Sequence, residues 1–517
     1  MLKKIVLVLF PPNTKRGVFV KRVAARFGLA QPYVYSHRYQ ALLDGVEDAR
    51  FLLPIPYKKE SAPLFSIVIP MYNTKDKYLF PLIESITNQS FTDWELVLAD
   101  GSTEPDRIAA IREMAATDQR IRLFKLEKNE GISENTNRAI EKAEGKYVIF
   151  SDHDDTLSVH ALNELAAVIS QNPDTEIIYS DEDKLSDDGR FRLQPHFKAG
   201  WSPHQFLTCN YTNHISAVKR SLVNKVGGLR TEYNGAQDYD FLLRVHGLEG
   251  TRKVAHIPKI LYHWRIAEGS TAGNFSVKEY ALQAGQNALQ EYLLAKGLEA
   301  TVSSIKDRPG FYDPYIKPKS GRKTLVVLGE DADPLASIML RDKYQALTDT
   351  TGISDVKFVT SKDADENIKK LRPTDFLVQI KDNIIPKSPD WLIRLLGALE
   401  MDDIKAVAPR IVTPDEKIWD MGMVIDIQGN YKDLFKGLSV YDDTEYGHTE
   451  WIRDVDALHT TFFACRVKDY DRKDIRITPT KDTYVTIWSP VEVVFQAPIK
   501  VANGQYNENL YQDENGR

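Results

Sequence analysis

The sequence predicts an α/β protein: a mostly parallel central sheet with helices on both faces, followed by a second α/β unit. Three observations carry that expectation. Short apolar runs alternate with segments of helical period between residues 65 and 160. Acid-rich motifs follow directly on those runs, where ligands bind in open α/β sheets. A Pro- and Gly-containing break near 305–322 is followed by the same alternation.

Residues 1–62 read as a lead-in, with a strand from Ile5 to Phe10 halted by Pro11-Pro12 and a linker from Tyr57 to Pro63. The apolar run is too short for a signal peptide and has no small-residue cleavage site. A domain over 63–305 begins with the strand Ser66 to Ile69, stopped by Pro70. Leu79, Leu82, Ile83 and Ile86 lie at helical spacing. Further strands are expected at Trp94 to Ala99, Ile121 to Leu126 and Lys146 to Phe150, with helices near 106–116 and 132–143 and another starting near Ser158. A second domain over 322–500 opens with Thr324 to Leu328. It continues through Asp375 to Ile380, a helix near 389–400, and strands at Tyr484 to Trp488 and Val491 to Phe495. The polar tail 501–517 is expected to be mobile.

Composition narrows the function classes. The 517 residues favour two to four domains, and 42% hydrophobic with 27% charged residues fits a folded, soluble protein. A net charge of -6 leaves no basic footprint for nucleic acid. The two cysteines, Cys209 and Cys465, lie far apart, which argues against a disulfide framework or a structural zinc site. No segment approaches the roughly 20 apolar residues that span a bilayer. A cytoplasmic protein is expected, with peripheral attachment to the inner face of the cell membrane and oligomerisation left open.

Four motifs carry chemistry. Asp100-Gly101-Ser102 follows a strand, where a carboxylate can accept bonds from a base or ribose; an ordinary turn would look the same. Asp152-His153-Asp154-Asp155 follows the strand Tyr147 to Phe150. Carboxylates spaced Asp-x-Asp suit Mg²⁺ or Mn²⁺, and such crowding asks for a positive guest. Asp155 or Thr156 could instead cap the helix near Ser158. Asp238, after Gly235, opens an apolar helix as a general base or as its cap. In Tyr262-His263-Trp264-Arg265, followed by Gly269-Ser270-Thr271, His263 can ligate a metal or rest satisfied in the core. Arg265 can grip phosphate, and Trp264 can pack or wall a sugar ring.

Together these motifs resemble the inverting family-two glycosyltransferases with the GT-A fold, from Ile69 to the neighbourhood of Thr271. Ile69-Pro70-Met71-Tyr72-Asn73 resembles the opening nucleotide-binding strand, and Asn129 to Ser133 with Asn137 the helix lining the nucleotide pocket. Ala99 stands where the family more often has a first acid before Asp100. Ile178 to Lys184, Phe197-Lys198, Trp201-Ser202-Pro203 and Val226 to Leu229 resemble the subgroup that builds bacterial surface polysaccharides. Gln237-Asp238 stands where many relatives have Glu-Asp.

The resemblance implies a nucleotide-sugar donor, most readily a UDP-sugar and next dTDP-rhamnose, and a glycan or lipid-linked glycan acceptor. Pro70, Tyr72, Asn73, Asp100 and Asn137 would hold the nucleoside side. Asp152 and Arg265 would serve the diphosphate, and Asp154, Asp152 and His263 would hold Mg²⁺ or Mn²⁺. Asp238 would be the base. The C-terminal half, through Ser388 to Leu392, Ala406 to Ile411 and Phe435 to Leu438, resembles a second transferase domain. Its metal motif has become Lys381-Asp382-Asn383, which implies a degenerate domain. Two alternatives stay open. One is a sugar nucleotidyltransferase, although no glycine-rich basic loop is present. The other is a non-catalytic carbohydrate-binding scaffold.

Overall fold

The computed structural model describes residues 55, 57–248, 253–266, 279–305, 308–329, 334–381, 384–444, 446–473 and 475–495. The expectations for 5–10, most of the 1–62 lead-in, 269–271, Asp382, Asn383 and the tail 501–517 lie outside these residues. The described residues within Met1–Tyr315 and Asp443–His448 form one compact unit, and those within Ile316–Asp442 and Thr449–Arg517 a second. Among the described residues no helix is long and apolar enough to cross a membrane.

In the first unit, β1 (Phe65–Met71), β2 (Trp94–Asp100), β3 (Ile121–Lys125) and β4 (Tyr147–Phe150) run parallel in the order β3-β2-β1-β4. Helices α1 (Asp76–Thr87), α2 (Pro105–Ala116) and α3 (Ile132–Lys142) connect them. The apolar runs form these strands because they are covered: β2 is buried along its whole length. Leu79, Leu82, Ile83 and Ile86 line the buried face of α1 and join the same core. Each such fully buried side chain contributes roughly 1.5–3 kcal/mol. Gly145 precedes β4 because a Cβ there would lie 2.6 Å from the Ser66 backbone nitrogen.

The chain continues through β5 (Thr156–Leu157), α4 (Ala161–Gln171), β6 (Ile177–Leu185), β7 (Arg192–His196), β8 (Ser216–Lys219), α5 (Arg220–Val226), α6 (Gln237–His246) and β9 (Val254–Arg265). The sheet extends from β4 as β8-β6-β9-β5, with β7 on β6. It is parallel through β4 and mixed beyond: β8 runs against both β4 and β6, while β6 and β9 are parallel. Antiparallel neighbours need no crossover helix, and β6 and β7 follow each other directly as an antiparallel pair.

The second unit has its own mixed sheet. Thr324–Leu328 lies parallel to Val356–Thr360 and Phe376–Ile380, and the latter pairs antiparallel with Phe462–Arg466. The helix Trp391–Ala398 buries Trp391, Leu392, Leu395 and Leu396. The two strands expected near 484–495 are one strand, Tyr484–Phe495, with a register shift where pairing passes from Pro409↔Trp488 to Arg410↔Glu492. Pro490 has no N–H for the ladder, so the irregularity falls there without ending the strand.

Candidate active site

The carboxyl ends of β1 and β2 are tied together by Asn73. Its backbone lies in the left-handed region (φ 47°), which asparagine tolerates. Its N–H donates to Ser102 Oγ at 2.9 Å, and its Oδ1 accepts the N–H of Thr103 (2.9 Å) and Glu104 (3.1 Å). Pro70 precedes this turn, and Tyr72 stands beside it, 46% exposed. Asp100 and Asn137, expected on the nucleotide, both have partners within the protein. Asp100 is fully buried; its Oδ1 accepts Ser102 N–H at 2.8 Å and its Oδ2 lies 3.3 Å from Lys125 Nζ. That carboxylate braces the loop from within. Asn137 clamps the backbone of Leu229, donating to its oxygen and accepting from its nitrogen, both at 2.8 Å. Gly228, at φ 73°, makes room: a Cβ there would lie 2.5 Å from Asn137 Oδ1.

The acidic loop after β4 is held from β9. Tyr262 donates its hydroxyl to Asp155 Oδ2 at 2.6 Å and accepts the Asp152 N–H at 3.2 Å. The Arg265 N–H donates to Asp155 Oδ1 at 2.7 Å. Asp155 is therefore a buried anchor, not a helix cap: β5 intervenes and α4 starts only at Ala161. Arg265, expected on phosphate, is also internal. It is 1% exposed, and its Nε donates to the Asp154 carbonyl at 2.6 Å.

Asp152 and Asp154 remain half-buried beside this anchor. Burial, then the charges of Asp154 and Asp238, push the Asp152 carboxyl up to about 7. Asp155 is raised well above the usual carboxylate range by burial, then by Asp154 and Asp152. The same interactions place Asp238 within electrostatic reach of Asp152, although 86 residues separate them in sequence.

Asp238 stands in the first turn of α6, whose N-cap is Ala236. Its Oδ2 accepts the side-chain amides of Asn213 (2.6 Å) and Asn210 (3.0 Å), so it does not act as the cap. The neighbouring acid Asp240 is buried between Arg230 and Arg244 and holds the helix in place.

The acids of β6, quoted above only for their resemblance, form a buried charge network whose roles motif reading did not assign. Asp181 Oδ1 bonds His256 Nε2 and accepts Lys198 N–H, both at 2.8 Å. Glu182 Oε2 accepts His214 N–H at 2.6 Å and pairs with Lys198 Nζ at 3.3 Å. Asp183 bonds His263 Nδ1 at 2.8 Å and Arg192 Nε at 2.5 Å. The available signal was three successive acids in a strand: alternation sends them to both faces, so each face must supply partners. His263 thus has its imidazole on Asp183. Among the described residues no group of three or more His, Cys, Asp or Glu side chains forms a ready-made metal cage.

Residues 66–227 match the family described as Glycosyl transferase family 2. Those residues form a glycosyltransferase family 2 domain. With that membership comes the GT-A fold expected from the motifs. The chain is 31% identical over 403 residues to an uncharacterized protein, y4gI, of Sinorhizobium fredii, covering 72% of this chain and 44% of that one. It is 28% identical over 420 residues to the O-antigen biosynthesis protein RfbC of Myxococcus xanthus, covering 76% of this chain and 33% of that one. The chain spans less than half the length of these two relatives. Among solved structures, S. aureus TarS 1-349 in complex with UDP-GlcNAc aligns over 44% of this chain and 66% of that one, at 22% identity and a TM-score of 0.36.

Proposed function

We propose that this family 2 domain moves a sugar from a nucleotide-diphosphate sugar to a hydroxyl of a bacterial surface glycan, inverting the anomeric centre. The observation that carries the reading is the convergence of Asp238, held by two asparagine amides, with the acidic loop at Asp152 and Asp154. The similarity to a protein named for O-antigen biosynthesis supports the acceptor class. UDP-sugars are the first donor candidates and dTDP-rhamnose the next.

In this mechanism Asp238 takes the acceptor's hydroxyl proton as that oxygen attacks the anomeric carbon. The bond from that carbon to the diphosphate breaks, and the nucleoside diphosphate departs with the electron pair. Two crowded carboxylates, one of them raised to about 7, fit a divalent cation, because a positive guest relieves their repulsion. Asp154 and Asp152 would hold Mg²⁺ or Mn²⁺, with His263 as a further candidate. Such an ion supplies charge compensation for the departing diphosphate. The Asn73 turn with Pro70 and Tyr72 offers the nucleoside its floor.

A panel of UDP-, dTDP- and GDP-sugars with a glycan acceptor tests this. Release of nucleoside diphosphate with transfer to the acceptor is expected. Pyrophosphate release would replace the reading with nucleotidyl transfer, and silence across the panel with every acceptor would favour a scaffold.

A further inference from the structure

We propose that Lys184 is the residue that receives the donor's diphosphate, resting on the indole of Trp264 until an anion arrives. This rests on the transferase reading above. β6 and β9 pair in parallel with Glu182 opposite Tyr262 and Lys184 opposite Trp264. Alternation along both strands puts these four side chains on one face. That face meets the acidic loop, because the Tyr262 hydroxyl holds Asp155 and the Asp152 N–H.

The charged neighbours on these strands have partners. Glu182 has Lys198 and the His214 N–H, and Asp183 has Arg192 and His263. Asp155 has Tyr262 and the Arg265 N–H. Lys184 differs. Its Nζ lies 2.9 Å from the Trp264 ring centroid, and among the described residues no oxygen hydrogen-bonds to it. Glu182 and Asp155 attract it through space without contact. An ammonium has three N–H donors, and an aromatic face satisfies them poorly. Lys184 is half-buried, so its Nζ can exchange the ring face for an anionic ligand.

The chemistry of the site names that ligand. The nucleoside diphosphate is the most anionic species in the proposed reaction, and lysine binds phosphate as a compact point charge. Arg265 is committed to the Asp154 carbonyl, and Lys198 and Arg192 to Glu182 and Asp183. Burial lowers the Lys184 ammonium to about 8, which leaves it mostly protonated at neutral pH. When Nζ moves onto a phosphate oxygen, the face of Trp264 is uncovered beside the reacting sugar.

Calorimetry on the full chain tests this with UDP and dTDP as probes, and uridine and thymidine as controls, in the presence of Mn²⁺. Lys184→Met keeps the apolar stem over Trp264 but removes the charge. It should weaken diphosphate binding roughly 10- to 100-fold and leave nucleoside binding within about twofold. Lys184→Arg should restore part of the loss. Tryptophan fluorescence should change on diphosphate binding in the wild type, and that change should be lost in Lys184→Met and in Trp264→Phe. Equal diphosphate binding by wild type and Lys184→Met overturns the Lys184 assignment alone. An equal drop in nucleoside binding also overturns it, as a loss of structure. A wild type that binds no nucleoside diphosphate overturns it together with the transferase reading.

Discussion

Asn213 donates its side-chain amide to Asp238 Oδ2 at 2.6 Å, and Asn210 adds a second amide to the same oxygen at 3.0 Å. Both donors sit on one oxygen, so the carboxylate is oriented and its Oδ1 is left as the candidate proton acceptor.

Asp238→Asn should lower the transfer rate by roughly 100- to 10,000-fold, since the shape is kept and the proton acceptor is lost. Asn213→Ala should lower kcat with little change in donor KM, because it loosens the base without touching the nucleotide. Steady-state kinetics on both variants checks this. A rate for Asp238→Asn within about threefold of wild type removes Asp238 from the mechanism.

Chelation should abolish transfer, and Mg²⁺ or Mn²⁺ should restore it. Asp154→Ala should weaken the metal-dependent part of donor binding by removing an anionic oxygen ligand. His263→Ala is the companion: an unchanged metal titration would leave His263 as a partner of Asp183 only. Because Asp152 is raised to about 7, metal-assisted donor binding should fall as pH drops below about 7, where its carboxyl gains a proton. Full activity in chelator would overturn the assignment.

Arg265→Met should destabilise the fold, by about 1–3 kcal/mol for an internal carbonyl left without its donor. Thermal melting reads this directly. An unchanged melting temperature with weakened donor binding would return Arg265 to the phosphate.

Glu182→Gln leaves the Lys198 ammonium buried without its counter-charge, and breaking such a pair costs about 3–5 kcal/mol. Burial raises the Glu182 carboxyl, but Lys198 and His196 outweigh it and hold it well below the usual range. Its stabilising share is therefore complete above the ordinary glutamate value of about 4.3 and is lost as pH falls further. The melting-temperature gap between wild type and variant should be constant near neutrality and narrow below about pH 4. A gap that widens there would contradict the pairing.

The second unit should not bind donor with metal. Lys381 ends the strand Phe376–Ile380, and its Nζ donates to Thr460 Oγ1 at 2.8 Å in a cavity of about 180 Å³ shared with Gln379, Tyr470 and Arg472. A cation at that strand end repels a metal ion, by about 4 kcal/mol at 4 Å per pair of unit charges at an effective dielectric of 20. Lys381→Ala and Asp382→Ala should leave donor turnover nearly unchanged. A collapse of turnover in either variant would mean a second working centre.

Sequence alone determined the strands β1 to β4, the apolar face of α1 at Leu79, Leu82, Ile83 and Ile86, and the position of the acid-rich loops at strand and helix ends. Those features rest on local periodicity, and a period is legible from neighbours in the chain. Sequence could not decide which member of each polar cluster faces a ligand. Asp155, Asp240, Asp100 and Arg265 are buried, while Asp152, Asp154, Asp238 and Lys184 stay half-buried. The deciding partners are remote: Arg265 meets the Asp154 carbonyl across 111 residues and Tyr262 meets Asp155 across 107. A buried charge is settled by whichever donors or acceptors the fold brings to it, and only the packing of β9 against the acidic loop brings these.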